Sequence, residues 1–597
     1  MYFKSLKVIL PFAAALAIAV SCAKISAPTG GPRDKEPPFT VESKPVAGAL
    51  NFQGRSVEIT FNEYIALDNI NDKFMVSPPV RKKPQIYVRG KSIMVDFEED
   101  LADSTTYTLY FQDAIKDINE SNILNDFQFV FSTGPVLDSL SVTGNAYEAY
   151  TLEVPDKALI LLYNNLADSA VMKTLPAYIS GIDRNGYFTI SNVAPGKYRL
   201  YALVDEDNSK NYNLESEKFA FLDSVIAVTP EKNYIPPQKD SVIVNKVTGK
   251  KTEVPLKTGT YSLYLFQAAR KNHYLASSNR EMKYKLNYVL SLPPDTMKFS
   301  FSIAESAGEG YYIERSMNKD SIRVWISDST LYELPRLTTL ITYPFTDTLG
   351  ITGYKKDTVI MRYTAPRPAR NLKVKRTPFT FNSTISAGNL KPGQKIAFDA
   401  LTPFRAPDTS RIRLYEVADS VRKRLAFSLS ADSMNSCRYT MNASLRQGKQ
   451  YLLIADSESF GNIFGEYSDS TGIRFSIKDP ESYNKLSLDI SGFSGKRIVQ
   501  LLKSDEKPAG EIISDKDGKV LFPLLDVGKY RVRLIYDLNG DGKWTTGEFS
   551  LYRQPEPVTY YFQEIDLKSG WNADNAWDVS IRNSKDPLLR KSKTDAR

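Results

Sequence analysis

The stretch Gly528-Lys-Tyr-Arg-Val-Arg-Leu-Ile-Tyr536 runs directly into Asp537-Leu-Asn-Gly-Asp-Gly-Lys-Trp-Thr-Thr-Gly-Glu548. Its first part alternates in polarity and is rich in β-forming residues, which predicts a strand. The same order of strand and acidic loop occurs at Gly196-Lys-Tyr-Arg-Leu200 and Asp205-Glu-Asp-Asn-Ser209, with the same spacing between the two parts. We therefore predict two copies of one β module, one in each half of the chain.

The loop Asp537–Glu548 has the spacing of a calcium loop. Such a loop surrounds the ion with side-chain oxygens at positions 1, 3 and 5, a backbone carbonyl at 7 and a glutamate at 12. Asp537, Asn539, Asp541, the Lys543 carbonyl and Glu548 occupy these positions. Because a strand precedes the loop, we expect a structural Ca²⁺ rather than a helix-loop-helix sensor. The alternative is that the Asp and Asn side chains only cap turns between strands.

The equivalent loop in the first module departs from this spacing. It offers Asp205, Asp207 and Ser209, but Lys210 stands where the turn glycine should be. The nearest glutamates stand at loop positions 11 and 13 rather than at 12. We expect weaker metal binding in this loop, and no cofactor other than Ca²⁺.

The first residues have the pattern of an export signal. Two lysines precede the apolar run Val8–Val20, which is too short to span a bilayer as a permanent helix. The small residues ahead of Cys22 resemble a bacterial lipobox, which implies a signal peptide over 1–21 and an acylated Cys22. The alternative is an ordinary cleaved signal with an incidental cysteine. The Pro- and Gly-rich residues 22–38 are predicted to form a lipidated tether.

Composition restricts the chemistry that the chain can perform. Its one histidine is His273, so a Ser-His-Asp triad or a His-rich zinc site would have to include that residue. Its two cysteines are Cys22 and Cys437, and acylation of the first leaves no intramolecular disulfide. The net charge of +8 comes without a long basic run, which predicts no nucleic-acid binding. We predict no enzymatic activity, although catalysis by a carboxylate pair stays open.

The segment after the tether alternates in polarity at Val57–Phe61, Ile93–Phe97, Tyr107–Phe111 and Phe127–Phe131, which predicts the short strands of a β-sandwich. It also contains the motifs Pro45-Val-Ala-Gly48, Phe61-Asn-Glu63, Leu101, Tyr107-Thr-Leu109, Ile115-Lys-Asp117 and Phe131-Ser-Thr-Gly134. These motifs resemble the bacterial Ig-like domain first named from surface-layer proteins. The tether sequence Pro28-Thr-Gly-Gly-Pro-Arg-Asp34 is similar to that of Ig-like lipoproteins common in Bacteroidota. The resemblance implies an architecture but no activity.

The repeated module is similar to the prealbumin-like or carboxypeptidase-regulatory domain, a seven-stranded sandwich without catalytic residues. Its first copy has strand patterns at Ala158–Tyr163, Gly186–Ile190 and Lys197–Val204. Between the two copies, alternating segments that include Tyr261–Phe266 and Arg411–Tyr415 predict two further sandwiches.

The sequence thus predicts an all-β chain, a string of tandem β-sandwich domains that follow a lipoprotein signal peptide. The predicted segments are the signal peptide 1–21, the tether 22–38, an Ig-like domain 39–134, a prealbumin-like sandwich 135–227, two β-sandwiches 256–363 and 371–480, a second prealbumin-like sandwich 484–567 and a C-terminal tail 568–597.

A three-residue pattern recurs along the chain: Asp, then Ser or Thr, then an aliphatic residue or Met. It resembles the O-glycosylation acceptor that Bacteroidota use for exported proteins. The alternative is that Asp-Ser makes a turn and the aliphatic residue begins a strand. The candidate acceptors are Ser139, Ser169, Ser224, Ser241, Thr296, Ser321, Thr348, Thr358, Ser420 and Ser433.

These features predict a non-enzymatic outer-membrane lipoprotein, a scaffold for envelope protein partners and an accessory subunit of an outer-membrane assembly or secretion machinery. We favour the cell surface over the periplasmic face, although Ala23-Lys-Ile-Ser26 lacks the acidic residues usual after the lipidated cysteine of exposed lipoproteins. The alternative is a carbohydrate-binding surface lipoprotein of a glycan uptake system, since the 35 Tyr and 30 Phe could include stacking platforms. An enzyme with a carboxylate pair is the weakest hypothesis.

Overall fold

The computed structural model describes residues 34–230, 260–293, 299–306, 310–316, 320–364, 378–419 and 421–580. Across these ranges the all-β prediction is confirmed: the strands form small, mostly antiparallel sheets, and helix is limited to single turns. The predicted signal peptide and Cys22 lie outside the described residues. Within those residues no helix has the length and apolar character needed to cross a membrane. The helical turns are α1 (Ile70–Lys73), α2 (Ala170–Lys173) and α3 (Ser329–Tyr332).

The first sandwich contains all four strand segments expected from alternation. Its core is built from the inward side chains of these strands, among them Ile59, Ile93, Phe111 and Phe131, each at most 1% exposed. The sheets have the orders β1-β2-β6-β5, β10-β7-β4 and β3-β8-β9. The strands are β1 (Thr40–Lys44), β2 (Ser56–Phe61), β3 (Ile65–Leu67), β4 (Met75–Ser77), β5 (Gln85–Arg89), β6 (Ser92–Asp96), β7 (Thr106–Gln112), β8 (Ile115–Asp117), β9 (Ile123–Leu124) and β10 (Phe127–Ser132).

The second sandwich, module 1, is the first copy of the repeat. Its strands are β11 (Leu140–Glu148), β12 (Leu159–Tyr163), β13 (Tyr178–Gly181), β14 (Tyr187–Val193), β15 (Gly196–Val204), β16 (Lys218–Phe221), β17 (Ile226–Val228) and β18 (Tyr261–Gln267). One layer has the order β13-β12-β15-β16, with β17 also paired to β15, and the other has the order β14-β11-β18.

The position of β18 corrects the predicted boundaries 135–227 and 256–363. Tyr261–Phe266 was assigned to the third sandwich, but β18 pairs in parallel with β11 and antiparallel with β16. Leu263 and Leu265 are buried in the core of module 1. The strand that completes module 1 therefore lies beyond residues 229–260, where a local pattern cannot connect it to its partner.

The fifth sandwich, module 2, has the same plan. Its strands are β35 (Asn484–Ser491), β36 (Arg497–Lys503), β37 (Pro508–Ser514), β38 (Gly518–Leu525), β39 (Gly528–Tyr536), β40 (Val558–Tyr560), β41 (Ile565–Leu567) and β42 (Ala573–Asp578). Its layers have the orders β37-β36-β39-β40, with β41 paired to β39, and β38-β35-β42. Because β42 pairs in parallel with β35, it belongs to the sandwich and not to a tail that begins at residue 568.

The third and fourth sandwiches each have two layers. The third comprises β19 (Leu275–Met282), β20 (Lys285–Leu290), β21 (Ser300–Ile303), β22 (Tyr311–Arg315), β23 (Ser321–Ile326), β24 (Arg336–Thr346) and β25 (Thr352–Arg362). The fourth comprises β26 (Phe381–Ser383), β27 (Asn389–Leu390), β28 (Ile396–Ala400), β29 (Ile412–Ala418), β30 (Val421–Leu425), β31 (Phe427–Ala431), β32 (Arg438–Ala443), β33 (Gln450–Ala455) and β34 (Thr471–Ile477). The sheet orders are β19-β20-β23-β22 and β21-β24-β25, then β26-β28-β32-β31 and β27-β34-β33-β29-β30.

Neighbouring sandwiches contact each other along the chain. The first sandwich meets module 1 where the N–H of Ile179 donates to Ser77 Oγ. The third and fourth sandwiches meet where the rings of Tyr284 and Phe464 stack, with their centroids 3.9 Å apart. Lys391 of the fourth pairs with Asp526 of module 2 at 2.8 Å. Besides these contacts between consecutive sandwiches, module 2 also packs on module 1.

The two tryptophans near the C-terminus provide a matched test of β42. Trp577 is 3% exposed in the core of module 2, whereas Trp571 is 65% exposed. We expect Trp577→Ala to destabilise module 2 by about 3 to 5 kcal/mol, as deletion of a buried aromatic side chain does. Trp571→Ala should change the unfolding free energy by less than about 0.5 kcal/mol. Urea unfolding of the two variants measures this, and equal midpoints would contradict the placement of β42.

Candidate functional site

The two acidic loops follow equivalent strands, β15 and β39, and fold in the same way. In module 2, Asp537 Oδ1 accepts hydrogen bonds from the N–H groups of Gly540 and Asp541, at 2.7 and 3.1 Å. Its Oδ2 accepts from the N–H of Gly542 at 2.9 Å, and Asn539 Oδ1 accepts from Asp541. The first carboxylate thus holds the turn from inside the loop.

The loop of module 1 repeats this arrangement without glycine. Asp205 Oδ1 accepts from the N–H of Ser209 at 3.1 Å, and its Oδ2 accepts from the N–H of Lys210 at 3.0 Å. Lys210 has a φ of 58°, in the left-handed region where Gly542 lies at 76°. The missing glycine, which led us to expect a weaker site, therefore does not change the path of the backbone.

Three carboxylates come together in module 1. Ligand oxygens of Asp205, Asp207 and Glu217 all lie within 4.8 Å of one another, the arrangement that a cation needs. Glu217 is fully buried and accepts from backbone N–H groups, among them that of Glu206 at 3.2 Å. Ser209, a predicted ligand, instead donates through its hydroxyl to the carbonyl of Asn211. Sequence spacing missed Glu217 because it stands one residue beyond the expected position 12.

In module 2 a different glutamate closes the loop. Glu556 Oε1 accepts from the N–H of Leu538 at 2.7 Å, and its Oε2 accepts from the N–H of Thr545 at 2.9 Å. Glu548, the predicted ligand, pairs with Lys271 at 2.8 Å and accepts from Ser550 Oγ. The structure therefore brings Asp537, Asn539 and Asp541 into one loop but directs Glu548 towards another part of the chain. The N–H of Lys543 donates to Asp541.

Burial and hydrogen bonding shift the pKa values of the three carboxyls in the module 1 loop in opposite directions. Burial raises the pKa of Asp205 and that of Glu217. The side-chain hydrogen bond from Asn213, aided by Ser209, lowers the pKa of Asp207 to about 2. A cation among these oxygens would favour the charged form of all three and offset the cost of their burial.

The difference between the two loops creates a contact between the modules. The connection Asp537–Pro557 in module 2 is longer than its counterpart Asp205–Glu217, and its segment Trp544–Gln554, called the strap here, lies on module 1. Phe549 of the strap is 4% exposed and joins the outer apolar cluster of module 1. Its ring centroid lies 5.0 Å from that of Phe219 and 5.2 Å from that of Phe221.

Polar contacts fix the strap along its length. Thr546 Oγ1 donates to the carbonyl of Gln267 at 2.6 Å, and Gln554 Nε2 donates to the carbonyl of Phe221 at 3.0 Å. The hydroxyl of Tyr552 donates to Asp168. A Cβ at Gly547 would lie 2.6 Å from the ring of Phe266, so the backbone approaches closely there.

Module 1 also contacts module 2, through residues that pack on the side of the β36–β39 sheet facing away from the module 2 core. Tyr150, which follows β11, packs on Trp544 with ring centroids 4.9 Å apart. Arg533 lies with its guanidinium carbon 4.0 Å from the Tyr150 ring centre and donates to the Tyr150 hydroxyl at 2.9 Å. Leu152 packs with Leu502 of β36. Each module thus covers part of the other, which closes four sandwiches into a ring.

Within the described residues, all but one of the candidate O-glycosylation acceptors are exposed. Ser321 is half-buried at the start of β23 and donates to Asp320. Ser241, Thr296 and Ser420 lie outside the described residues. The exposed acceptors are Ser139, Ser169, Ser224, Thr348, Thr358 and Ser433. Exposure is compatible with modification and with turn formation, so glycosylation stays a prediction.

Comparison with known proteins identifies the first sandwich. Residues 34–133 match the bacterial Ig-like domain family. The S-layer protein SbsC is 10% identical, with 86% of this chain and 67% of that chain covered and a TM-score of 0.13. A fragment of alpha-2-macroglobulin from Escherichia coli is 12% identical, with 51% and 99% covered and a TM-score of 0.18.

A third solved structure is the Bacteroides ovatus mixed-linkage glucan utilization locus protein SGBP-B, in complex with a mixed-linkage heptasaccharide. It is 9% identical, with 72% of this chain and 96% of that chain covered and a TM-score of 0.16. At these TM-scores the three likenesses carry no argument about function. A comparison with curated protein sequences gives no match. The chain is thus a multidomain protein with a bacterial Ig-like domain at residues 34–133.

The calcium hypothesis can be tested in both loops. At about 10 mM Ca²⁺ and a Kd of about 10⁻³ to 10⁻⁴ M, a bound ion stabilises the folded protein by about 1.4 to 2.7 kcal/mol. We expect calcium to raise the Tm of the wild type and to raise it less in Asp207→Asn, which keeps the turn but removes a charge from the module 1 loop. Glu548→Gln should retain the effect, because Glu548 faces Lys271. The reverse outcome would restore the original assignment of Glu548.

Acidification supplies an independent check on the same loop. Because the folded-state pKa values of Asp205 and Glu217 are raised, their contribution to stability without calcium is present at low pH and falls as pH rises through them. Calcium needs both groups deprotonated, so the Tm increase caused by calcium should shrink as pH falls through the same range. A calcium effect that is constant with pH would show that these carboxyls do not bind the ion.

The strap gives a second matched pair of variants. Phe549 is buried against module 1, whereas Leu551, two residues later, is 68% exposed. We expect Phe549→Ala to cost about 3 to 5 kcal/mol of unfolding free energy and to loosen the ring. Leu551→Ala should change little. Denaturant unfolding with small-angle X-ray scattering measures both effects, and an unchanged midpoint for Phe549→Ala would show that the modules do not depend on the strap.

Proposed function

We propose that the protein is a non-enzymatic, lipid-anchored scaffold of the outer membrane and an accessory subunit of an envelope assembly or secretion machinery. The observation that carries this proposal is the mutual cover of modules 1 and 2. Because the strap closes four sandwiches into a ring, their outer surfaces keep fixed positions relative to one another. A scaffold needs such fixed surfaces to hold several partners in register.

The side chains that could perform chemistry support a structural role. Asp205 and Glu217 accept hydrogen bonds from backbone N–H groups. These bonds stabilise the loop, which is a structural role. His273 joins the third sandwich through its backbone, where its N–H donates to Thr346 Oγ1 at 2.8 Å. The proposed Ca²⁺ would stiffen the loop next to the module interface rather than activate water.

The proposed location at the outer membrane is supported by the lipobox-like sequence ahead of Cys22. Acylation of Cys22 would place the Ig-like sandwich next to a membrane, with the ring further along the chain. We favour the cell surface, and protease treatment of intact cells tests this choice. The alternative function, carbohydrate binding for a glycan uptake system, would draw on exposed aromatic side chains, of which Trp571 is one.

Purification from detergent-solubilised membranes tests the scaffold. We expect the tagged wild-type protein to recover an outer-membrane protein in stoichiometric amount, and Cys22→Ser to move from the membrane to the soluble fraction. Phe549→Ala serves as the structural control, because it loosens the ring while leaving the anchor intact. Recovery of no membrane partner would refute the machinery proposal. Retention on a polysaccharide gel that Trp571→Ala abolishes would favour the carbohydrate alternative.

A further inference from the structure

One small sheet of the Ig-like sandwich carries an apolar outer face. In the sheet β3-β8-β9, Ile65 pairs with Asp117 and both are buried, so their neighbours point outwards. The N–H of Ile118 donates to the carbonyl of Tyr64, which makes these two residues cross-strand neighbours on the outer side. Tyr64 is 59% exposed, Ile118 is 56% exposed and Ile123 of β9 is 41% exposed. We call these three side chains the outer face.

Two lysines border the outer face, and one of them, Lys116, also lies 3.6 Å from a carboxylate oxygen of Asp68. Lys116 pairs with Ile123 in the register of β8 and β9, so both side chains lie on the same side of the sheet. Lys91 Nζ lies 5.6 Å from the ring centre of Tyr64 and donates to the carbonyl of Asn62. A tyrosine and isoleucines bordered by lysines form an amphipathic surface, with apolar bodies at the centre and charged groups at the edge.

The first described residue, Asp34, lies beside this face. Asn122, in the turn between β8 and β9, donates from Nδ2 to the carbonyl of Asp34 at 3.3 Å. Cys22 precedes Asp34 by twelve residues, which span at most about 43 Å at the full extension of about 3.6 Å per residue. An acyl anchor at Cys22 therefore keeps this side of the sandwich within reach of the bilayer.

We propose that the outer face of the β3-β8-β9 sheet lies on the lipid headgroup region and fixes the orientation of the Ig-like sandwich on the membrane. The lysines contact phosphate groups, while Tyr64, Ile118 and Ile123 enter the boundary between headgroups and acyl chains. This inference rests on the proposed lipid anchor at Cys22. It adds a second contact to that anchor, so that the ring projects from the membrane in a defined direction.

Site-specific fluorescence tests the proposal on the full, lipidated chain. Ile118→Cys is compared with Val41→Cys in the same sandwich, a position that is 63% exposed and lies on a different sheet, the one that contains β1 and β2. Each variant is labelled with an environment-sensitive dye and reconstituted in vesicles of phosphatidylethanolamine and phosphatidylglycerol. The native Cys437 should label slowly, because burial raises the pKa of its thiol to about 11. Brominated lipids quench a dye that contacts the bilayer.

We expect the dye at position 118 to shift to shorter wavelength and to be quenched, and the dye at position 41 to do neither. A dye at 118 that behaves as the dye at 41, in protein whose intact mass contains the acyl chains, overturns the proposal and leaves the anchor standing. A blue shift at 118 that brominated lipids do not quench indicates cover by protein and also overturns it. An intact mass without acyl chains refutes the proposed anchor itself, and quenching at 118 then decides the membrane contact separately.

Discussion

The arrangement of the chain depends on one contact, the burial of Phe549 in the outer apolar cluster of module 1. The sheet that contains β12 and β15 has apolar side chains on both faces: Ile160 and Leu162 point into the sandwich, while Leu161 and Tyr163 point outwards. An antiparallel sheet is stable with one side exposed to water when that side is polar. Here that side carries Leu161 and Tyr163, so it has to be covered. The helix α2, the ring of Tyr212 and the strap together pack on that face.

This requirement is visible in the sequence. Ala158-Leu-Ile-Leu-Leu-Tyr163 is continuously apolar, which indicates a strand that is buried on both faces. The equivalent strand of module 2, Arg497-Ile-Val-Gln-Leu-Leu-Lys503, carries polar residues instead. The sequence predicted separate sandwiches, because such a pattern indicates that both faces of a strand are covered and does not identify what covers them.

The same limit explains which other features were predicted. Alternation identified β2, β6, β7 and β10, since each strand carries its own two-residue period. Pairing partners are not encoded locally, so the closing strands β18 and β42 were assigned to a neighbouring sandwich and to a tail. In the acidic loops Asp205 and Asp537 hold turns within five residues, a range over which a sequence pattern is informative. Their role as calcium ligands stays a prediction. The closing residues Glu217 and Glu556 were missed, because they depend on where the chain returns.

The two modules have the same strand order, but the sides of their sheets that face away from the core carry different residues. This difference determines how the two modules pack on each other. Tyr201 of module 1 and Arg533 of module 2 are equivalent positions in β15 and β39, yet one lies in an apolar cluster and the other binds Tyr150. Between identical chains, a contact of unlike surfaces would build closed rings or open filaments. Here both surfaces belong to one chain, where the effective concentration of a tethered partner is on the order of millimolar. Intramolecular closure through these two surfaces therefore outcompetes association between chains.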